Sequence, residues 1–196
     1  MPQLQSGLVL ALALSLVGST ASAAANKPAL PADYAPGRYN ETSLHVATLM
    51  EQTERIELLL NAGVDPNDPK EADGDRGDGE SGDGSTPLAL AVSNGHVAGV
   101  KLLLAAGAKV NAVNRFGWSP LILAAYNAAT PERASLVPML LEAGADPALV
   151  CEGDEEAGGW EGKTAADLAR EWGYAGTADL LDKAVREREG VAKSEL

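Results

Sequence analysis

Three side chains in this sequence could act as nucleophile or general base near neutral pH: His45, His96 and Cys151. A hydrolase built on them needs the thiol within hydrogen-bond reach of an imidazole, so that the base takes the proton as sulfur attacks. His45 stands in Thr42-Ser43-Leu44-His45 and His96 in Asn94-Gly95-His96, while Cys151 precedes Glu152, Asp154, Glu155 and Glu156. Negative neighbours disfavour a thiolate, and nothing in the spacing brings the three together. Cation binding is the second chemistry to weigh, because Asp73, Asp75 and Asp78 have an Asp-x-Asp start. Gly77, however, falls where a helix-loop-helix calcium site needs its third oxygen ligand, and no Glu falls at the closing position. There is no transition-metal spacing, phosphate loop or dinucleotide fingerprint, so no catalytic residue, metal or cofactor is assigned.

The elements that must position these residues come from a repeat. Gly84-Ser-Thr-Pro-Leu-Ala-Leu-Ala-Val-Ser-Asn-Gly-His96 begins with a helix N-cap at Thr86 followed by proline at the first helical position, where a missing N–H costs nothing. A second helix is predicted from about Val97 to Ala106, with Val100, Leu103 and Leu104 on one face and Gly107 ending it. Ser119-Pro120-Leu121 follows Thr86-Pro87-Leu88 by 33 residues, Thr42 precedes Thr86 by 44, and Thr164-Ala165-Ala166 follows Ser119 by 45. Thr42 to Gly63 and Thr86 to Gly107 are both 21 residues, so the helical hairpin is constant and the excess belongs to connections. Eleven extra residues fall between Gly63 and Gly84, four near Ala129 to Arg133, and eight around Cys151 to Glu161. Such hairpins bury their apolar faces only against neighbours, and stacked arrays tolerate lengthened loops.

Thr-Pro-Leu-x-x-Ala, Asn-Gly-His, Val-Lys-Leu-Leu-Leu and Gly-Ala-x-Val-Asn at these spacings resemble ankyrin repeats over roughly Arg38 to Lys183. The resemblance implies an all-α solenoid of four stacked helix-turn-helix units, at about 38–67, 81–113, 114–148 and 159–184 within a domain of 38–184. Two acidic insertions, 68–83 and 149–161, interrupt it, and 185–196 reads as a C-terminal tail. The resemblance also implies that His45 and His96 are structural, and that positions two, three, five, thirteen and fourteen of each unit face a partner. Counting Thr86 as the sixth residue, these positions hold Arg38, Tyr39, Leu49 and Met50 in the first repeat. In the third they hold Arg115, Phe116, Trp118, Tyr126 and Asn127, and in the fourth Trp160, Lys163, Glu171 and Trp172. Six of the eight aromatic residues, including all three tryptophans, fall there. Aromatic and Arg side chains dominate binding hot spots, which makes Arg115, Phe116, Trp118, Tyr126, Trp160, Trp172 and Tyr39 the expected partner-binding residues.

Residues 1–23 carry no charge, have a ten-residue apolar run from Leu8 to Val17, and end in Ala21-Ser22-Ala23. This reads as a signal peptide cleaved after Ala23, with 24–37 as an extended leader, and predicts a secreted or periplasmic protein. A formal net charge of −13 argues against nucleic acid or an anionic membrane as partner and favours a basic protein. One cysteine cannot make an internal disulfide, so the fold does not depend on oxidation. The expectation is therefore a monomeric, non-catalytic interaction module with no membrane span. It would dock a partner on its concave face and loop tips, as inhibitor or neutraliser of a basic protein. The alternative is an acidic, cation-binding envelope protein without a dedicated partner.

Overall fold

A computed structural model describes residues 44–67, 84–152 and 160–194. The expected signal peptide, the leader, Tyr39, the acidic stretch with Asp73, Asp75 and Asp78, and residues 153–159 of the second insertion lie outside the described residues. What is described is helical, apart from one isolated antiparallel bridge between Val150 and Thr164. No described helix is long and apolar enough to cross a membrane.

The helices start where the side-chain chemistry directs. After α1 (Leu44–Leu49) and α2 (Thr53–Ala62), Thr86 Oγ1 accepts the Ala89 N–H at 3.2 Å and opens α3 (Pro87–Asn94). Ser119 Oγ accepts the Ile122 N–H at 3.3 Å and opens α5 (Pro120–Tyr126). Thr164 opens α8 (Ala165–Glu171) without proline, but with a full capping box in which the Asp167 carboxylate accepts the Thr164 N–H at 3.0 Å. Each cap is worth about 1 kcal/mol, so the register of the repeats is written into local hydrogen bonds before any packing.

The partner helices are α2, α4 (Val97–Ala105), α7 (Leu136–Glu142) and α9 (Ala175–Ser194), with a short α6 (Pro131–Ala134) before α7. Helices α1, α3, α5 and α8 stack in a row, and each packs against the helix that completes its own hairpin. One continuous core results. Leu44, Ile56, Leu59, Leu88, Leu103, Leu121, Leu136, Leu140, Leu168 and Leu181 are all fully buried in it. Each repeat supplies too few of these to fold alone, and the stacking of neighbours supplies the rest.

Polar side chains then tie each repeat to the next. The Asn67 amide donates to the Gly107 carbonyl at 3.1 Å while its Oδ1 accepts the Lys109 N–H at 2.7 Å. Asn111, at the same place one repeat on, does the same with the Gly144 carbonyl and the Asp146 N–H. His45 is buried and its Nε2 donates to the Ser85 carbonyl at 3.1 Å, joining repeat one to repeat two. His96 Nε2 lies 2.8 Å from Thr53 Oγ1, and its ring occupies the space above Gly99, where a Cβ would come within 2.5 Å of Nδ1. Both imidazoles therefore sit in structural roles between the first two repeats.

Three details differ from the sequence reading. Helix α9 continues to Ser194, through the segment expected to be a tail from 185 and past Gly190, with Lys183 and Glu187 paired one turn apart on it. The second insertion is shorter than 149–161. Its base is closed by Cys151 N–H to the Lys163 carbonyl and Gly162 N–H to the Cys151 carbonyl, both at 2.9 Å, and Cys151 is buried in the core. Burial is the largest cause raising the Cys151 thiol pKa, against a backbone hydrogen bond and Lys163 that lower it. The four extra residues near Ala129 to Arg133 form an ordered turn and α6, not a slack loop. From there Arg133 donates to the carbonyls of Ser93 and Asn94, both at 2.9 Å, closing the end of α3 in the preceding repeat.

Candidate functional site

The tip before α5 is shaped by one asparagine. Asn114 Oδ1 accepts the N–H groups of Phe116 and Trp118, both at 3.0 Å, and its backbone bonds Gly117 and Trp118. Four bonds on one residue leave this turn little freedom. Arg115 is exposed at its apex with the guanidinium carbon 4.7 Å from the centroid of the half-buried Phe116 ring, a cation–π contact. Trp118 turns back and packs against the core. Gly117, at φ +72°, lies directly under the chain that enters the second insertion: a Cβ there would be 2.4 Å from the Glu152 nitrogen.

From Trp118 a ring cluster spreads across the third and fourth repeats. Its centroid lies 5.4 Å from Tyr126 at the end of α5, in an edge-to-face arrangement, and 5.0 Å from Trp160. Tyr126 lies 5.5 Å from Trp160 and 5.1 Å from Trp172, the last at an interplanar angle of 82°. Edge-to-face contacts place positive ring edges on negative faces and contribute about 0.5–1.5 kcal/mol beyond area burial. Trp118 and Trp160 lean on the core, while Trp172 is 50% exposed. The Trp118 Nε1 is enclosed, with no hydrogen-bond partner among the described residues. A buried donor without an acceptor costs roughly 1–3 kcal/mol.

The structure thus gathers Trp118, Tyr126, Trp160 and Trp172 into one surface. Arg115 and Phe116 form a separate pair at the tip, and Tyr39 is outside the described residues. At the other end of the row Leu49 and Met50 are exposed, at 41% and 64%. Beside the rings, the Lys163 ammonium is paired with the Glu171 carboxylate. Arg170 bridges Asp167 at 3.1 Å and Asp182 at 2.9 Å, linking α8 to α9. Hydrogen bonds from the Thr164 backbone and hydroxyl, and then Arg170, hold the Asp167 carboxyl below its ordinary pKa against a small desolvation penalty.

Sequence reasoning named the rings but missed what holds them. Asn114 could have been found from its place before Arg-Phe-Gly-Trp, since Asn accepting the N–H two residues on is a known turn former. The seating of Gly117 under Glu152 had no local signal, because the two are 35 residues apart. Elsewhere, a groove of about 710 Å³ runs between α7 and α9 over Pro138, Leu141, Ala145 and Leu180. None of the ring residues lines it. Among the described residues no three His, Cys, Asp or Glu side chains are grouped for a metal ion.

Known proteins carry the same pattern. Residues 39–71 match the family described as Ankyrin repeat, and residues 69–151 match Ankyrin repeats (3 copies). The chain is similar to the ankyrin repeat protein YahD of Escherichia coli (strain K12), at 30% identity over 171 residues, covering 74% of this chain and 80% of that one. It is also similar to Calmodulin-binding transcription activator 6 of Arabidopsis thaliana, at 38% identity over 94 residues, which is 48% of this chain but only 10% of that protein. Ankyrin repeats are, in general, modules of protein–protein interaction. With its four stacked hairpins, three of them opened by a Thr or Ser cap, its continuous leucine core and these matches, the chain belongs to the ankyrin repeat family.

Proposed function

We propose that this protein acts outside the cytoplasm as a non-catalytic docking module, binding one basic protein through the concave ring surface and the Arg115-Phe116 tip, and inhibiting or neutralising it. The observation that supports this reading best is the contiguous surface of Trp118, Tyr126, Trp160 and Trp172, drawn from two repeats and ending in a half-exposed tryptophan. Rings of this kind dominate interface energetics when a partner desolvates them. The net charge of −13 favours a cationic partner and speeds its approach. The uncharged first 23 residues, with their Ala-Ser-Ala ending, support export.

The test is affinity capture from the envelope or secreted fraction with residues 24–196 as bait, beside a Trp118→Ala, Tyr126→Ala variant of unchanged helicity. A partner retained by the native bait and lost by the variant supports the reading. Equal retention by both baits overturns the ring surface as the docking site. Detection of the native protein in the cytosolic fraction alone overturns the location.

A further inference from the structure

We infer that the outer edge of the ring surface, formed by Trp172, Tyr126 and the Glu171 carboxylate, is a seat for an arginine or lysine side chain of a basic polypeptide, and that Lys163 occupies its carboxylate in the free protein. The assignment rests on the docking reading above and sharpens it. Trp172 is half exposed and packs nearly perpendicular to the Tyr126 ring, 5.1 Å between centroids, so the indole is held in place while half of it stays open to solvent. Indole faces attract cations through their quadrupole, best of the aromatic side chains. Glu171 is the neighbouring residue at the end of the same short helix and stands 47% exposed. It supplies the formal charge that a ring lacks.

The pair that Glu171 makes already demonstrates the chemistry. Its oxygen holds the Lys163 ammonium, from the position just before the cap of α8. That pair is open to water on both sides, with the side chains 31% and 47% exposed, and exposed pairs of this kind exchange partners at little cost. A guanidinium arriving with its own chain can lie on the indole and take the carboxylate together, which the Lys163 ammonium does not do. Lys163 is then an internal competitor, and the overall charge of −13 selects cations over anions at the approach.

The experiment is fluorescence anisotropy of a labelled alternating arginine–glycine peptide against the full mature chain at low and moderate salt. Trp172→Ala and Glu171→Gln should each weaken binding by roughly fivefold. Lys163→Gln should tighten it by about threefold relative to Lys101→Gln, which removes the same charge from the exposed side of α4. Thermal melting of each variant checks the fold, and Glu171→Gln, on an exposed side chain, keeps the test open should Trp172→Ala not fold. If Lys163→Gln and Lys101→Gln behave alike, or if binding survives Trp172→Ala and Glu171→Gln unchanged, the attraction belongs to diffuse charge and the seat is refuted. Should that happen while capture of the native partner still depends on Trp118 and Tyr126, the docking surface stands without the seat. Loss of both refutes both.

Discussion

Gly117 and Glu152 approach so closely that a single methyl group on the glycine would meet the Glu152 backbone nitrogen at 2.4 Å. The contact fastens the mouth of the second insertion onto the tip of the third repeat, one residue from Trp118. Gly117→Ala should therefore cost about 3 kcal/mol, the sum of a left-handed backbone at φ +72° and a clash with main chain that cannot rotate away. Gly107→Ala is the control, with φ +85° but nothing within 4 Å, and should cost only about 1 kcal/mol. Urea unfolding of the two variants measures the difference. Equal losses would mean that the crossing at Glu152 contributes nothing.

Arg133 closes the end of α3 from the next repeat, donating to the carbonyls of Ser93 and Asn94. A cation at a helix C-terminus also meets the negative end of the helix dipole. Arg133→Ala should destabilise the protein by about 1–3 kcal/mol, and Arg133→Lys should recover less than half, because an ammonium cannot fork between two carbonyls. Hydrogen exchange should report faster opening in α3 before global unfolding. A melting temperature that Arg133→Ala leaves unchanged would contradict this.

Glu51 adopts φ +55°, the one non-glycine residue at positive φ among those described, at the place where the second repeat has Gly95 and the fourth has Gly173. Side chains in this region cost about 1–2 kcal/mol, against roughly 0.5–1 kcal/mol of extra chain entropy that glycine loses on folding. Glu51→Gly is expected to raise stability by about 0.5–1 kcal/mol, read as a higher melting temperature. A decrease would show that the Glu51 side chain makes a contribution larger than its backbone strain.

Asp167 has a lowered pKa in the folded protein, chiefly through the Thr164 hydrogen bonds. A carboxylate with a depressed folded-state pKa adds stability that is present above its unfolded pKa. That stability is lost as pH falls through the folded one. The side chain is 46% exposed, so solvent screening limits the contribution to below about 1 kcal/mol. Asp167→Asn should flatten the acid limb of a melting-temperature profile between neutral pH and the range below ordinary Asp titration, leaving the neutral-to-alkaline limb unchanged. An identical acid limb in the variant would contradict the role.

Much of the fold was legible because the signals are local and repeated. Thr86, Ser119 and Thr164 cap helices through bonds to residues three positions on, so their spacing alone fixes where hairpins begin. The buried leucines recur with them. The end of α9 was not legible in the same way, since Gly190, of a type that commonly ends helices, lies inside it. The candidate rings were nameable from repeat register, but their mutual contacts were not.

By itself the sequence determined the hairpin register and the leucine core, while the structural place of His45 and His96 and the choice of aromatic residues came from the resemblance of its repeats to ankyrin repeats. The register and the core follow from interactions within one repeat or from a period counted along the chain. Only the tertiary structure decided that Trp118, Tyr126, Trp160 and Trp172 touch, that Arg133 caps the helix of another repeat, and that Cys151 is core rather than loop. It also decided which carboxylate holds Lys163. Which groups meet in each of these pairings is not written in any one repeat. That is set by side-chain packing between segments distant in sequence, for which no periodicity exists to be read.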